Sequence, residues 1–458
     1  MSDPRPVPLP SSRLPVRVPL GTRPLGIWGS LQAGRRNVLE LVPEIAVKQP
    51  MVSGTTGKRW HMVMDPGALR RILRDEVENY PKSVVTKLIL EPAIGESLFV
   101  AEGRHWLWQR RTAAPVFSQR NVAALAPAMT AAAERASDRL AAAAGRAANL
   151  FDEMVSATFE VIADVTFSGG EGFDRAGVHR AIEQYIGQTA KVSLLDILGA
   201  PPWVPRPSRL MTGAAMRQTK RMADAAIEAR RHAGAKPVPD LLDLLMAGED
   251  KQTGRKMTTA ELRDNLLTFI VAGHETTALT LSWALYLCAF DPAVQAAARD
   301  EAQAVLGGRA ATAEDIPRLP LTRRIVDEAL RLYPPAAFLS RTAMADDRLC
   351  DREVRRGDTV ILPIYALHRH RMLWSDPDAF DPSRFADPKA VDRFAFLPFG
   401  DGPRICIGAN FAIQEAVIIL STLLARFRFA PIPGRDPKPV MILTLRPEGG
   451  VWLAVERA

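Results

Sequence analysis

Cysteine is scarce in this 458-residue chain, which holds only Cys288, Cys350 and Cys406. An odd, widely scattered set builds no disulfide framework, so a reducing setting, the cytoplasm, is the expected localisation. Long apolar runs are missing from the start. There the sequence MSDPRPVPLPSSRLPVRVPLGTRP is rich in proline and arginine, with neither a membrane-spanning stretch nor the apolar core of a signal peptide. Residues 1–30 therefore read as an extended arm, and a soluble chain without a membrane anchor is expected. No repeat and no low-complexity linker divides the remainder, and residues 31–458 are expected to form a single domain. A nucleic-acid site is excluded on pattern. The net charge of +8 is spread over small arginine groups such as Arg110-Arg111 and Arg355-Arg356, with no basic block interleaved with aromatics. Most of these groups read as solvated faces, and a minority as a patch for an acidic partner or for an anionic cofactor. Apolar residues, by contrast, make up 47% of the chain, enough for a sizeable core.

Along the chain, apolar stretches on both sides of Gly54-Thr55-Thr56-Gly57 predict a β-hairpin. Asp65-Pro66 predicts a capped helix running to about Arg74. Residues 80–101 are apolar but broken by Pro92 and Gly95, and read as irregular structure with short helical pieces. Alanine-rich helical patterns follow over residues 103–167. Pro201, Pro202, Pro205 and Pro207 predict a mobile connection between helices. The clearest helix comes next: Thr258 and Glu261 form a capping box, Asp291-Pro292 marks the far end, and the run between is roughly 48 Å long and apolar nearly all round. Two more helices are predicted, one stopping at Gly307-Gly308 and one over residues 321–333, ended by Pro334-Pro335. Alternation over residues 338–363, with a turn at Arg356-Gly357-Asp358, predicts strands. The expected fold class is mainly α with a smaller β portion.

Residues 399–408 read FGDGPRICIG. Three glycines and a proline forbid helix or flat strand and suit a tight loop passing close to something flat. Cys406 lies just before a helical apolar run over residues 409–427. Unpaired N–H groups and the positive end of the helix dipole favour thiolate over thiol there, and a rigidly held thiolate can ligate a metal. In the long helix, AGHETT (residues 272–277) puts Gly273 and Thr276 on one face. A mid-helix glycine costs about 1 kcal/mol and suggests close approach by a ligand. A threonine hydroxyl can bond back to the carbonyl one turn earlier, and Glu275 is an ionisable group in apolar surroundings. His274 lies roughly 200° round the helix from Thr276, so it cannot share that face. Glu328 and Arg331, at i, i+3, read by themselves as a surface ion pair.

Phe399, Gly402, Arg404, Cys406 and Gly408 together resemble the haem-binding loop of the cytochromes P-450. The resemblance extends over nearly the whole chain with four ordered motifs, and implies that family's fold, with a long central helix over the haem. It implies Cys406 as axial thiolate of an iron protoporphyrin IX (haem b), with Phe399 near the sulfur, Gly400 and Gly408 beside the cofactor, and Arg404 on a propionate. Trp106 and Arg110 in GRHWLWQRR, and Arg341 after the proline pair, are implied as further propionate partners. Ala272 and Gly273 resemble the haem-facing part of the oxygen-activating motif, whose acid–alcohol pair, here Glu275 and Thr276, relays protons to dioxygen. Glu328, Arg331 and Arg384 resemble the structural Glu–Arg–Arg triad that locks the segment before the cysteine. By family position Leu88, Leu90, Phe99, Ile270, Ala337, Phe338, Leu339 and Leu443 would line an apolar substrate cavity.

The implied activity is monooxygenation of a hydrophobic small molecule, by hydroxylation or epoxidation, as a monomer. The chain ends at residue 458, shortly after Cys406, so a separate ferredoxin or flavodoxin-type donor with its reductase is the expected electron source. A peroxide-using or isomerising haem-thiolate enzyme would not need the acid–alcohol pair. A non-catalytic haem sensor would need neither the pair nor the cavity.

Overall fold

The computed structural model describes residues 14–22, 25–83, 87, 90–91, 94–167, 177, 207–441 and 443–458. The main elements in chain order are α1 (Ile27–Arg36), β1 (Met51–Thr56), β2 (Lys58–Val63), α2 (Gly103–Ala113), α3 (Ala126–Ala142), β3 (Ala147–Asn149), α4 (Leu150–Phe167) and α5 (Pro207–Ala233). Then come α6 (Thr259–Phe290), α7 (Pro292–Leu306), α8 (Pro320–Leu332), β4 (Leu339–Thr342), β5 (Thr359–Leu362), α9 (Ala409–Arg426), β6 (Phe427–Pro431), β7 (Lys438–Met441), β8 (Leu445–Glu448) and β9 (Trp452–Arg457). The expected mobile connection at Pro201, Pro202 and Pro205 lies outside the described residues.

Helix α6 organises the rest. The Thr258 hydroxyl accepts from the Glu261 N–H at 3.3 Å, while the Glu261 carboxylate accepts the Thr258 N–H at 2.9 Å, satisfying two orphan donors reciprocally. Asp291 ends the helix and caps the next, accepting from the N–H groups of Ala293 and Val294. Because α6 is apolar on all sides it must be wrapped, and α4, α5, α7, α8 and α9 pack against it. Trp283, fully buried, stacks on Tyr333 with ring centroids 4.0 Å apart. Cys288 is buried in the same layer, and desolvation pushes its thiol up to about 12, so it is chemically quiet. Among the described residues α9 is the one single helix long and apolar enough to cross a membrane, and most of it is covered by the fold.

The main sheet has the order β1-β2-β5-β4, with β2 and β5 parallel and the other pairs antiparallel. The first hairpin is longer than the glycines suggested. Gly54, Thr55 and Thr56 belong to β1, and the turn is made at Gly57 with φ +75°. Gly54 serves packing instead: a Cβ there would lie 2.3 Å from the Trp60 ring. His61 ties the hairpin to the turn before β5, bonding Ser53 Oγ at 2.8 Å and Asp358 Oδ2 at 3.0 Å. A second sheet, β6-β9-β3, includes a strand the sequence reading placed within helical pattern. Hairpin β7–β8 returns to the centre, where Trp283 donates its indole N–H to the Leu445 carbonyl at 3.2 Å.

The N-terminal segment is more firmly held than an arm. Val16 and Val18 donate their N–H groups to the Tyr286 and Tyr365 hydroxyls, each at 3.0 Å, and Tyr333 donates to the Val16 carbonyl at 2.7 Å. Helix α1 runs across residue 30, so that boundary falls inside an element and not between an arm and a domain.

Candidate active site

The 399–408 loop is closed by its own backbone: Cys406 N–H donates to the Phe399 carbonyl at 2.9 Å. Gly400 and Gly402 take φ of +69° and +74°, which side chains disfavour. Gly402 is required twice over, since a Cβ would sit 1.9 Å from the Leu73 carbonyl oxygen. This close crossing seats the loop on the π-helical turn Arg71–Asp75. Gly408 is the N-cap of α9, two residues beyond Cys406. The Cys406 side chain is accessible, yet it lies deep among protein atoms, on an inner face of the fold. Its thiol is pushed up by burial. The Gly408 N–H and the charges of Arg110 and Lys82 pull the other way without prevailing. The helix start thus favours thiolate in the direction expected, and burial opposes it for the free thiol. A coordinating metal would deprotonate it outright.

Helix α6 supplies the second wall. Ala272 is exposed, and Gly273 and Thr276 are partly so, in a helix otherwise covered by protein. The Thr276 hydroxyl donates to the Ala272 carbonyl at 2.7 Å. Glu275 is buried and points elsewhere: its Oε1 accepts from Thr444 Oγ1 at 2.6 Å and from Arg446 Nε at 2.5 Å. His274 is buried on the far side, bonded through Nδ1 to the Ile270 carbonyl at 2.7 Å and packed edge-on against Phe159. Glu415 of α9 is buried, and burial raises its carboxyl well above the usual carboxylate range, with the neighbouring Thr277 of α6 acting in the opposite direction.

A cluster of cations collects beside the loop. Arg404 donates to the Ala101 carbonyl at 3.1 Å, pairs with the Glu102 carboxylate, and lies 4.2 Å over the Trp106 ring. Arg341 is buried and its pKa falls to about 10, through burial first and then the repulsion of Arg404. Lys82, bridged through its backbone to Arg341, falls to about 7 for the same reasons. Arg110 is also depressed by burial. Trp106 lies under the Arg404 guanidinium, and the charge of Arg110 also acts on Cys406. Three mutually repelling cations thus share one carboxylate, Glu102, in poorly solvated surroundings. A dianion with two carboxylates next to an accessible thiol is what this donor set fits, and haem is such a group.

The apolar wall differs in detail from expectation. Leu90, Ile94 and Val100 form a small cluster against which Val271 and Leu443 pack. Ile270 and Ala337 are 2% and 0% exposed and pack in the main core, while their neighbours Val271 and Ala336 are less covered. Phe338 and Leu339 are half-buried, with Leu339 next to Gly400. Phe99 stands apart from the apolar cluster, its ring 4.0 Å under the Lys82 ammonium. Leu88 lies outside the described residues.

A protein-family model described as Cytochrome P450 matches residues 19–454. The chain belongs to the cytochrome P450 family. Cyclooctatin synthase of Streptomyces melanosporofaciens is 33% identical, covering 78% of this chain and 78% of that protein. Cyclooctat-9-en-7-ol 5-monooxygenase of the same organism is 31% identical over 92% and 90% of the two chains. The crystal structure of the cytochrome P450DA heme domain matches with a TM-score of 0.81 at 26% identity, covering 97% of this chain and 98% of that one. The P450 fold of this chain, and its standing as a haem-thiolate monooxygenase, follow.

In this P450 the Glu328–Arg331 pair is no surface feature. Both side chains are fully buried, with Arg331 Nε and Nη2 donating to the Glu328 carboxylate at 2.6 and 2.7 Å. The remaining Arg331 donors reach the carbonyls of His368, Pro377 and Ala379 at 2.6–2.9 Å. Arg384 Nε lies 3.5 Å from Glu328 Oε1. Sequence reasoning missed His368, which is buried, bonds through Nδ1 to the Arg331 carbonyl and accepts the Leu397 N–H at Nε2 (2.9 Å). It therefore links the triad to the strand of chain entering the cysteine loop. Lys82, Glu102 and Arg446 were missed as well. Each is an ordinary charged residue in sequence, and nothing local marks it.

Proposed function

We propose that this P450 inserts one oxygen atom of O2 into a hydrophobic small molecule, by hydroxylation or epoxidation, with electrons from a separate ferredoxin or flavodoxin-type partner. The observation that carries the reading is an accessible cysteine beside several poorly solvated cations, in a chain matched by the family model from residue 19 to 454. When bound there, haem b supplies the activation of dioxygen and the transfer of one atom to substrate, the other leaving as water. Cys406 is its metal ligand, held by the Phe399 carbonyl and the glycine turns. Arg404, Arg341, Arg110 and Trp106 hold the propionate side, now joined by Lys82. Ala272 and Gly273 let the cofactor approach α6, and Phe399, Gly400 and Gly408 flank it.

Thr276 Oγ holds a proton on the Ala272 carbonyl and is the alcohol of the relay; the Glu275 carboxylate is the acid. Leu90, Val271 and Leu443 give the substrate an apolar wall, with Phe338 and Leu339 nearby, which is why a lipophile is favoured. The names of the two Streptomyces relatives, cyclooctatin synthase and cyclooctat-9-en-7-ol 5-monooxygenase, point the same way. The chain acts as a single catalytic domain, in a soluble, cytoplasmic monomer. No basic block with aromatics supports a nucleic-acid partner. Docking of an acidic donor through arginines predicts that salt slows reduction.

The test is the spectrum of the reduced, CO-bound protein. A red-shifted, thiolate-type Soret band that disappears in Cys406→Ser is expected. Its absence from the native protein, or its survival in Cys406→Ser, would overturn the proposal.

A further inference from the structure

Hairpin β7–β8 is pinned by three residues from other segments. Asn37 donates to the Pro439 carbonyl at 3.1 Å and accepts the Met441 N–H at 3.0 Å. Leu445 N–H donates to the Pro335 carbonyl at 3.0 Å, and Trp283 donates to the Leu445 carbonyl. From this fixed frame two groups reach Glu275: the Thr444 hydroxyl at 2.6 Å and Arg446 Nε at 2.5 Å, both on the same oxygen, Oε1. The Arg446 side chain is 26% exposed and that of Glu275 4%, so the pair joins a buried carboxylate to the edge of the fold. One residue before Thr444, Leu443 packs against the Leu90 cluster and belongs to the apolar wall.

Glu275 and Thr276 are adjacent on α6 yet engaged with different partners, the carboxylate with the hairpin and the hydroxyl with the Ala272 carbonyl. A charge-assisted bond to arginine plus a hydroxyl bond on one oxygen is a strong, directional hold. Nothing on α6 itself supplies it. A ligand that presses on Leu443 acts on the same short turn that carries one of the two groups holding the acid.

We infer that Thr444 and Arg446 are positioning residues for Glu275, and that the turn at 443–444 couples occupancy of the apolar wall to the placement of the acid. The inference rests on the relay reading of Glu275 given above. It assigns the C-terminal hairpin a part in timing, since a carboxylate tied to the hairpin is released or held according to what fills the space at Leu443. By reciprocity, if ligand binding changes the hold on Glu275, changing Glu275 changes ligand binding by the same factor.

The experiment uses the haem-loaded protein and clotrimazole, an apolar azole whose nitrogen ligates haem iron, titrated by its absorbance shift. Glu275→Gln is expected to change the clotrimazole Kd by roughly fivefold. In an Arg446→Met background the same change should shrink below about twofold, and Arg446→Lys should restore most of it, since a lysine can still reach the carboxylate as a point charge. Leu443→Ala is expected to alter the Kd as well. Equal effects of Glu275→Gln in both backgrounds, or no effect in either, would overturn the coupling, and a silent Leu443→Ala would remove the turn as the shared wall. A second readout needs neither turnover nor azole. In denaturant unfolding of the haem-free protein, Glu275→Gln and Arg446→Met should be non-additive, and additivity would show that the hold does not exist. Failure of the monooxygenase reading shows up separately, in the CO spectrum of native protein and Cys406→Ser.

Discussion

The Glu328–Arg331–Arg384 cluster and the Lys82–Arg341–Arg404 cluster are built from similar residues and are both largely buried, but their books balance differently. In the first, every donor group of Arg331 has a partner: two go to Glu328, and three carbonyls take the rest. In the second, three cations face the single carboxylate of Glu102, and two of them are pushed far below their ordinary pKa, Lys82 to about 7 and Arg341 to about 10. A buried arginine with every donor taken, as at Arg331, has no capacity for a ligand and can only fix the chain. An unsaturated one is costly until an anion arrives, and that cost is what makes it a binding site.

The comparison breaks most visibly at Arg331. Arg331→Met strips the Glu328 carboxylate of its two charge-assisted bonds, leaving Arg384 at 3.5 Å and the Asp381 N–H as its partners, and a loss of about 3 kcal/mol is expected in denaturant unfolding. Arg331→Lys should recover little, because an ammonium cannot reproduce five donors in a planar fork.

Acid attacks the same lock through His368. Its ring is held neutral, at a pKa of about 3, by burial and by the charge of Arg331. The unfolded chain binds this proton below about 6.5 and the folded one only near 3, so stability is complete above that range and falls as pH drops through it. The slope from this one group is at most about 1.4 kcal/mol per pH unit. Unfolding curves at pH 7, 5 and 4 should show the decline, and His368→Gln should flatten it. An unchanged slope in that variant would place the acid sensitivity elsewhere.

At the unsaturated cluster the sign reverses. Lys82→Met and Arg341→Gln each remove a repelled cation, so haem-free stability should hold or rise. Haem retention should weaken by about 1–3 kcal/mol, read as faster transfer to an apoglobin acceptor. A fall in both quantities would mean that these residues belong to the lock. The smallest effect is expected at Lys438→Ala, on the hairpin that also carries Arg446. Lys438 and Glu448 pair at 2.8 Å with side chains 62% and 59% exposed, and the change should stay within about 0.5 kcal/mol.

Much of the site was legible because its signals are local. A capping box at Thr258 and Glu261, a run of apolar residues and Asp291-Pro292 delimit α6, each signal read from a few neighbouring residues. The loop glycines mark a turn that no other residue enters, and Gly402 against the Leu73 carbonyl gives the reason. The choice of side was not legible. An all-round apolar helix carries no periodicity that says which face meets a cavity, and only the fold shows that Val271 packs against the Leu90 cluster while Ile270 packs in the main core. Lys82, Glu102, His368 and Arg446 were missed because their meaning lies in partners tens to hundreds of positions away.

The sequence by itself determined the helical class, the long central helix with its caps, the cysteine set among glycines, and the residue types of the triad. These rest on short-range chemistry: backbone freedom, capping hydrogen bonds and hydrophobic period. Only the tertiary structure decided which charges are balanced and which are left over. That outcome depends on burial, which removes water as a partner, and on contacts such as Arg404 with Glu102 and Glu275 with Arg446 that no local pattern encodes.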